Sequence, residues 1–448
     1  MNAVVSQPVE PPKKASSTLW DGVLIALIVV SLSGTAYWAC SGGILWSLGE
    51  PWLTHPWTQP ILAGAVVWAV LGVVLLAMRT LFWMRYRAFP SSGPDDAPFL
   101  TVIIPAYNEG AMVQKSIDSV ASAHYPRDHL EIFVVDDGSR DDTWVHIQAA
   151  AARHPGLVST LRFPKNRGKR AALEVGFRRA KGEIVATIDS DSVIDAGTLL
   201  ALAGPFSDPK VGAVAGRVSV YNRRQGLIPR MLQVRYTLSF DFLRAAQSGF
   251  QTVYCCPGAL AGYRASVVRT VLDTWMKQTF LGARCTYGED RSMTNYILDQ
   301  GYDTVYQRSA VVHTMAPMTY SKLCKMYLRW DRSYVREEVR LARILWKRPL
   351  FSRAMVFYDF TVTNLRFPVG YTSLGVLTWI ALGHPAALLR LMFAMGVMAA
   401  FSMLYYLRSE RSWDFIYGIL YAYYSFFVLL WVFPYAVLTV RSRSWMTR

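Results

Sequence analysis

The chain has 448 residues, with 47 Lys and Arg against 31 Asp and Glu for a formal net charge of +16; 52% of it is hydrophobic and only 17% charged. So apolar a composition excludes a disordered chain, and the uneven spread of its charges excludes a purely soluble one. Nucleic-acid binding is not indicated, because much of the positive excess flanks long apolar runs.

Residues 1–18 are polar and Pro-containing and read as a loose cytoplasmic tail. No Asp, Glu, Lys or Arg lies between Asp21 and Glu50, or between Glu50 and Arg79, two gaps of 28 residues. A helix needs about 20 to cross a bilayer, so segment 19–90 is expected to hold two spans, roughly 22–48 and 60–84. The stretch from Val23 to Leu48 is too long for the apolar core of a signal peptide and lacks a clear small-residue cleavage site. The loop between the spans carries Glu50 and no Lys or Arg, whereas Lys13, Lys14, Arg79, Arg85 and Arg87 flank the other ends. By the positive-inside rule, both the N-terminus and everything after Arg85 face the cytoplasm.

A linker, SSGPDDAP (91–98), opens a region of different character, 98–330. Short β-branched runs at 99–105, 131–137, 183–191 and 211–220 read as strands; between the first of them, 110–123, 142–153 and 168–181 have helical spacing with Ala-rich faces. This alternation predicts an α/β fold, a mostly parallel sheet with helices on both faces, inserted between transmembrane helices. Ligands of such sheets bind beyond the carboxyl ends of the strands. The segment 331–353 is strongly basic, with Val335, Val339, Ala342 and Trp346 at helical spacing, and suits an interfacial helix on an anionic membrane face; an ordinary helix packed on its own domain stays open. Residues 354–440 hold further transmembrane or interfacial helices, with candidate runs 354–383, 385–407 and 413–440. Arg408 and Arg411 lie before the last run and Arg441, Arg443 and Arg448 after it. Both groups read as cytoplasmic, so 413–440 is expected to be bent or re-entrant, with Gly418 and Pro434 permitting a break, or else a neighbour is interfacial. The five cysteines have no CxxC spacing and no His partners at zinc-ligand distance, and read as reduced thiols.

The candidate chemistry sits at strand ends. Asp136 and Asp137 close one strand, where they place acceptors for a base or ribose, though Asp-Gly is also an ordinary turn signal. Asp189 and Asp191 follow another; hard oxygen ligands there suit Mg²⁺ or Mn²⁺ completed by substrate phosphates, while a solvated acidic turn is the plainer alternative. Lys169 and Arg170 stand at a helix start beside Gly168, a plausible anion site. Glu289 and Asp290 open a helix, either as a cap or as a general base near the metal. Arg329 and Trp330 offer a guanidinium for phosphate and an indole face for a sugar ring.

Taken in order, VIIPAYNE (102–109), VVDDGS (134–139), NRGKRAAL (166–173), DSD (189–191), GYR (262–264), TFLG (279–282), GEDRSMTN (288–295), RW (329–330), SYVRE (333–337) and SWMTR (444–448) resemble the membrane-embedded family 2 glycosyltransferases that polymerise sugars. Hyaluronan synthases, nodulation chitooligosaccharide synthases and chitin synthases are the members concerned. The resemblance implies a GT-A-like catalytic domain in the cytoplasm and a multi-pass protein of the plasma (inner) membrane. It implies that Tyr107, Glu109, Asp136, Asp137 and Lys169 contact the donor nucleotide and that Asp189 and Asp191 form the metal motif for Mg²⁺ or Mn²⁺. Asp290, with Glu289 beside it, is then the general base, Arg329 grips the diphosphate and Trp330 floors the acceptor site. In the segment 441–448, Trp445, Thr447 and Arg448 resemble a gate over bound nucleotide. The implied partners are a UDP-sugar donor, a growing polysaccharide and membrane lipids.

Two departures bear on the acceptor. Met326 stands where the family pattern has Gln, three residues before Arg329, and the glycine-proline-leucine element reads CCPGALAGYR (255–264). The expected activity is an inverting synthase that transfers a sugar, N-acetylglucosamine or that sugar alternating with glucuronate, to a β-linked chain and secretes it through its own channel. The alternative is a non-processive transferase that glycosylates a polyprenyl phosphate. A nucleotide-binding transporter or scaffold fits poorly with intact carboxylates in all three acidic motifs.

Overall fold

The structure is a computed structural model that describes residues 59–442, apart from 384–385, together with isolated positions before them. The tail 1–18, the first expected span (22–48), Cys40 and the segment 443–448 with Trp445, Thr447 and Arg448 lie outside the described residues.

Helix α1 (Gln59–Arg85) leads into an α/β domain whose first half alternates strictly: β1 (Leu100–Ala106), α2 (Met112–Ala121), β2 (Leu130–Asp136), α3 (Thr143–Arg153), β3 (Val158–Arg162), α4 (Lys169–Arg179) and β4 (Ile184–Ile188). Apart from β3, which lies in no expected strand, these elements fall within about three residues of the sequence expectation; the run 183–191 ends as β4 at Ile188, and a separate short strand, β5 (Ser192–Ile194), follows it. After α5 (Thr198–Ala203) and β6 (Val211–Val220), a long helix runs as α6 (Leu227–Tyr236), widens to π geometry over Thr237–Leu243 and ends as α7 (Arg244–Ser248). Then come β7 (Leu260–Arg264), α8 (Ala265–Met276), a small hairpin of β8 (Thr279–Phe280) and β9 (Ala283–Arg284), α9 (Glu289–Asp299) and β10 (Asp303–Thr314).

The eight-stranded sheet has the order β3-β2-β1-β4-β7-β6-β10-β5. β1, β2, β3 and β4 pair in parallel, as do β6 and β10, whereas β7 runs antiparallel between β4 and β6. Neither β7 nor β10 was legible as a strand in the sequence pattern, because both are buried on two sides and show no alternation. Within β1 the period of two is visible in the packing. Val102 and Ile104 join the core formed with α2 and α3, while Ile103 joins the opposite core with Leu173 and Phe177 of α4. Each face of the sheet thus has its own apolar layer.

The remaining helices are α10 (Tyr320–Ile344), α11 (Leu350–Gly383), α12 (Ala386–Glu410), α13 (Phe415–Phe427) and α14 (Val432–Leu438). The boundary expected at 331 falls inside α10. Its Arg332 and Arg336 are buried by protein rather than turned to a membrane: Arg332 donates to Thr439 Oγ1, and Arg336 to the Tyr287 carbonyl over that residue's ring. Val339, Arg343, Trp346, Lys347, Pro349, Leu350 and Phe351 of the basic stretch remain exposed. Alternation of charge and apolarity cannot distinguish a lipid surface from a buried face whose arginines find carbonyls. Among the described residues, α1 is long and apolar enough to cross a membrane, and α13 with α14 reach that length only as a pair bent by 48°. The expected break in 413–440 is therefore present, but it falls at 428–431 rather than at Gly418 or Pro434. Pro434 lies in the first turn of α14, where its missing N–H breaks no hydrogen bond.

Arg348 ties the start of α11 to the sheet. Its side chain, 1% exposed, pairs with Asp303 at 2.5 Å and donates to the carbonyls of Gln251 and Tyr302. Arg348→Ala leaves a mostly buried carboxylate unpaired, so a stability loss of about 3–5 kcal/mol is expected. Thermal unfolding of the detergent-solubilised protein would show it as a lowered Tm.

Candidate active site

Parallel pairing of β2, β1 and β4 puts their carboxyl ends on one edge, and the acidic motifs follow from that. Asp137 succeeds β2, Asp189 to Asp191 succeed β4, and Tyr107 to Glu109 succeed β1. A single cavity of about 500 Å³ opens there. Tyr107, Glu109, Asp137, Lys169, Asp189, Asp191, Glu289, Asp290, Arg329 and Trp330 all line it. Ten residues chosen from separate motifs therefore share one wall.

Asp136 departs from expectation. It is not among the lining residues: its carboxylate is fully buried, accepts from the Ser139 amide and hydroxyl, and pairs with Arg162 at 3.0 Å. A strand's successive side chains point to opposite faces, so of two adjacent aspartates only one can face the cavity. The other shapes the turn. Ser139 in turn accepts from the Asn108 amide, and Thr143 accepts from the amides of Glu109 and Gly110. These bonds hold the loop after β1 against the loop after β2.

Asp137 binds the loop that precedes α4. Its carboxylate accepts from the amides of Arg167 and Gly168 and from Asn166 Nδ2, at 2.7 to 3.0 Å. Burial raises its pKa to about 6 although those amides oppose the shift. Gly138 permits this approach: it adopts φ +74°, and a Cβ there would lie 2.6 Å from the Lys165 backbone.

The loop delivers Lys169 to the centre of the cavity. Its ammonium lies 2.5 Å from Asp189 Oδ1 and 3.1 Å from Glu289 Oε1, so it bridges the end of β4 and the start of α9. Burial alone would depress this lysine, but the two carboxylates outweigh it and hold the ammonium well above its usual range. Burial likewise opposes ionisation of Glu289, and Lys169 outweighs it, keeping that carboxylate charged. The neighbouring Asp290 differs. Burial, and then the negative charge of Glu289, raise it above the ordinary aspartate range. Its Oδ2 accepts from the Gly258 amide and from Cys255 Sγ, and its Oδ1 from the Arg291 amide. Adjacent carboxylates are thus set apart, one locked as a counter-ion and one more basic, an arrangement suited to proton abstraction.

The turn before Glu289 depends on Gly288. This residue is left-handed (φ +75°), and a Cβ would lie 1.9 Å from Ser333 Oγ, so only glycine lets α9 rest on α10. Asp191 is 2% exposed, with Oδ1 accepting from Thr314 Oγ1 of β10 and from Ser192 Oγ. Among the described residues no group of three or more His, Cys, Asp or Glu side chains gathers as a complete metal shell. Trp330 is 42% exposed in the cavity wall, steadied by Tyr327 edge-on at 5.7 Å and Tyr236 at 6.2 Å. Met326, also on the wall, receives the Tyr236 hydroxyl at 3.9 Å. Asn166 and Cys255 were given no role from sequence although they open the quoted NRGKRAAL and CCPGALAGYR strings, and Tyr236 gave no signal because it meets Trp330 only in space.

Gly138→Ala is expected to lower stability by about 1–3 kcal/mol through backbone strain, and the loop before α4 must also retreat from its Cβ. Gly138→Asn tolerates positive φ but still carries a Cβ. Thermal unfolding should therefore find the Asn variant as destabilised as Ala, whereas an Asn variant clearly more stable than Ala would show that strain alone matters.

The description "Glycosyl transferase family 2" matches residues 101–272, which contain all three strand-end motifs. An N-acetylglucosaminyltransferase of Azorhizobium caulinodans is 31% identical over 359 residues, covering 78% of this chain and 87% of the relative. A hyaluronan synthase of Streptococcus pyogenes is 28% identical over 393 residues, covering 86% and 92% respectively. Among solved structures, a mannosyltransferase from Pyrobaculum calidifontis in complex with GDP-Man and Mn²⁺ superposes with a TM-score of 0.59 at 23% identity. It covers 81% of this chain and 99% of its own, which shows a shared GT-A-like fold. Kinship with enzymes over more than three quarters of the chain places this protein in glycosyltransferase family 2.

Proposed function

We propose that the protein is an inverting membrane polysaccharide synthase. It transfers N-acetylglucosamine from a UDP-sugar to a growing β-linked chain and passes the product out through its own helices. One observation carries this reading: the cavity that holds the strand-end carboxylates and Trp330 continues between α1 and α11, where Arg79, Asp359, Thr363, Asn364 and Arg366 line it. A transferase acting on a small soluble acceptor has no need of a polar recess between apolar helices. A polar polymer leaving through a bilayer does. The relatives named N-acetylglucosaminyltransferase and hyaluronan synthase support the sugar class.

The acceptor stacks on the exposed indole of Trp330 with a hydroxyl toward Asp290. That oxygen attacks the anomeric carbon as the bond to the diphosphate oxygen breaks; UDP leaves with the bonding electron pair and the hydroxyl proton passes to Asp290. A single displacement inverts the anomeric centre, so an α-linked donor yields a β-linkage. Tyr107, Glu109 and Asp137, from the loops after β1 and β2, bind the nucleotide, while Arg329 and Lys169 stabilise negative charge on the departing diphosphate. The hard carboxylate donors of Asp191 and Asp189, with no third acidic or imidazole ligand in place, fit Mg²⁺ or Mn²⁺ completed by substrate phosphates. When bound, that ion neutralises leaving-group charge. In this reading the enzyme sits in the inner membrane with its catalytic domain in the cytoplasm, which the apolar length of α1 supports.

Asp290→Asn should reduce transfer by about 10²–10⁴-fold while UDP still binds. Radiolabelled transfer with a parallel UDP titration separates the two, and joint loss of both would argue against the base assignment. Because Asp290 is raised, the rate should fall on the acid side at a pH above the ordinary aspartate range. Glu289→Gln removes a negative neighbour, lowers the Asp290 pKa and should move that limb to lower pH. A limb that stays in place or moves upward counts against Asp290 as the base. Secretion is checked in vesicles with outward-facing catalytic domains: polymer should be found inside them, protected from glycosidase.

A further inference from the structure

Met326 stands one turn before Trp330 on α10 and lines the same cavity. A thioether is a weak acceptor and donates nothing, so the wall next to the indole lacks the amide that the synthase pattern places there. Two phenols flank the indole. The Tyr327 hydroxyl is already taken, lying 2.6 Å from the Tyr421 hydroxyl. Tyr236 is different. Its ring packs against Trp330 at 6.2 Å and against Phe240 edge-on at 5.8 Å, and only 5% of the residue is exposed. Its hydroxyl has one hydrogen-bond partner among the described residues, the Met326 sulfur at 3.9 Å. Burial pushes this phenol upward, so the proton stays on the oxygen. Both lone pairs of that oxygen, and much of the strength of its O–H, are left unused in the wall of the cavity. The helix that carries it changes to π geometry at the next residue, over Thr237–Leu243, an irregularity frequent at functional sites.

We infer that Tyr236 is a specificity-determining residue for the acceptor, its phenol taking over the hydrogen bond to the bound sugar that an amide at position 326 would otherwise make. The inference rests on the reading that an acceptor sugar stacks on Trp330, and deepens it. A pyranose on the indole presents hydroxyls and acetamide groups around its edge, and a phenol that both donates and accepts can serve either. It does so without a charge, so it does not compete with Arg329 and Lys169 for the diphosphate. Met326 then has a part of its own. Its sulfur holds the phenol too weakly to keep it from the sugar, whereas a glutamine amide there would bind it.

The test is a titration of the full-length protein in detergent, loaded with UDP and Mg²⁺, with chitin tetrasaccharide. Tyr236→Phe should weaken tetrasaccharide binding by about three- to tenfold, the size of one neutral hydrogen bond, while UDP affinity stays within about twofold of the wild type. Met326→Leu removes the sulfur and keeps the phenol, so it should bind the tetrasaccharide as the wild type does. Adding Met326→Gln to Tyr236→Phe should recover most of the loss, because an amide again faces the sugar. The inference is overturned by a wild type that does not bind the tetrasaccharide, or by an unmoved affinity in Tyr236→Phe. A loss in Met326→Leu as large as in Tyr236→Phe, or UDP affinity falling in step, also overturns it by showing that the Tyr236–Met326 contact is structural. A double variant no better than Tyr236→Phe overturns the exchange of roles with position 326. Failure of the parent reading is separate: the wild type would then transfer no sugar from any UDP-sugar, whereas transfer by a wild type whose acceptor binding ignores Tyr236→Phe sinks only this assignment.

Discussion

The ammonium of Lys169 is the joint on which the catalytic half of the molecule turns. It reaches Asp189 at the end of one strand and Glu289 at the start of a helix a hundred residues later, and without it these two carboxylates would face each other across the cavity with no cation between them. Its position is set by the Asp137 carboxylate, which holds the amides of the loop just before it. Electrostatics at the centre and hydrogen bonding at the rim are therefore one construction. Removing Lys169 would release the ion pair that keeps Glu289 charged.

A second constraint concerns polarity where apolar helices meet the catalytic domain. α1 and α11 bring an arginine and an aspartate together close to the ends of those helices that abut the sheet. Charges in such a setting are tolerated when each has a partner, and here Arg79 with Asp359 and Arg291 with Glu338 satisfy that condition. The same pairing leaves Arg79 and Arg291 each with a carboxylate partner in the cavity wall. Arg217 with Glu410 and Asp241 with Arg308 and Ser409 fasten α12 to the sheet, so the catalytic domain and that helix cannot drift apart without breaking partly buried pairs.

Much of the α/β domain was legible from the chain alone, and the reasons differ by element. β1 and β2 announced themselves through β-branched runs ended by carboxylates, and α2 to α4 through helical spacing. β7 and β10 did not, since a strand covered on both faces has no alternation to read. Arg332 and Arg336 belong to a basic stripe that fits a membrane surface or a packed face equally well as letters, and their acceptors lie far from them in the chain, on Thr439 and Tyr287. Asp136 and Asp137 were indistinguishable as letters, and the strand pleat assigned one to the turn and the other to the cavity.

Residue types, their order and the apolar run at 59–85 were enough to specify a nucleotide-sugar enzyme joined to helices of membrane-spanning character, because those properties follow from local periodicity and from chemistry that recurs at strand ends. What the chain could not reveal was which carboxylate answers which cation. Lys169 with Asp189 and Glu289, Arg291 with Glu338, and Arg79 with Asp359 are partners separated by tens to hundreds of residues, and ionic attraction depends on distance in space. Only the folded arrangement brings those charges within a few ångströms, and only there does one acidic residue become a counter-ion and its neighbour a base.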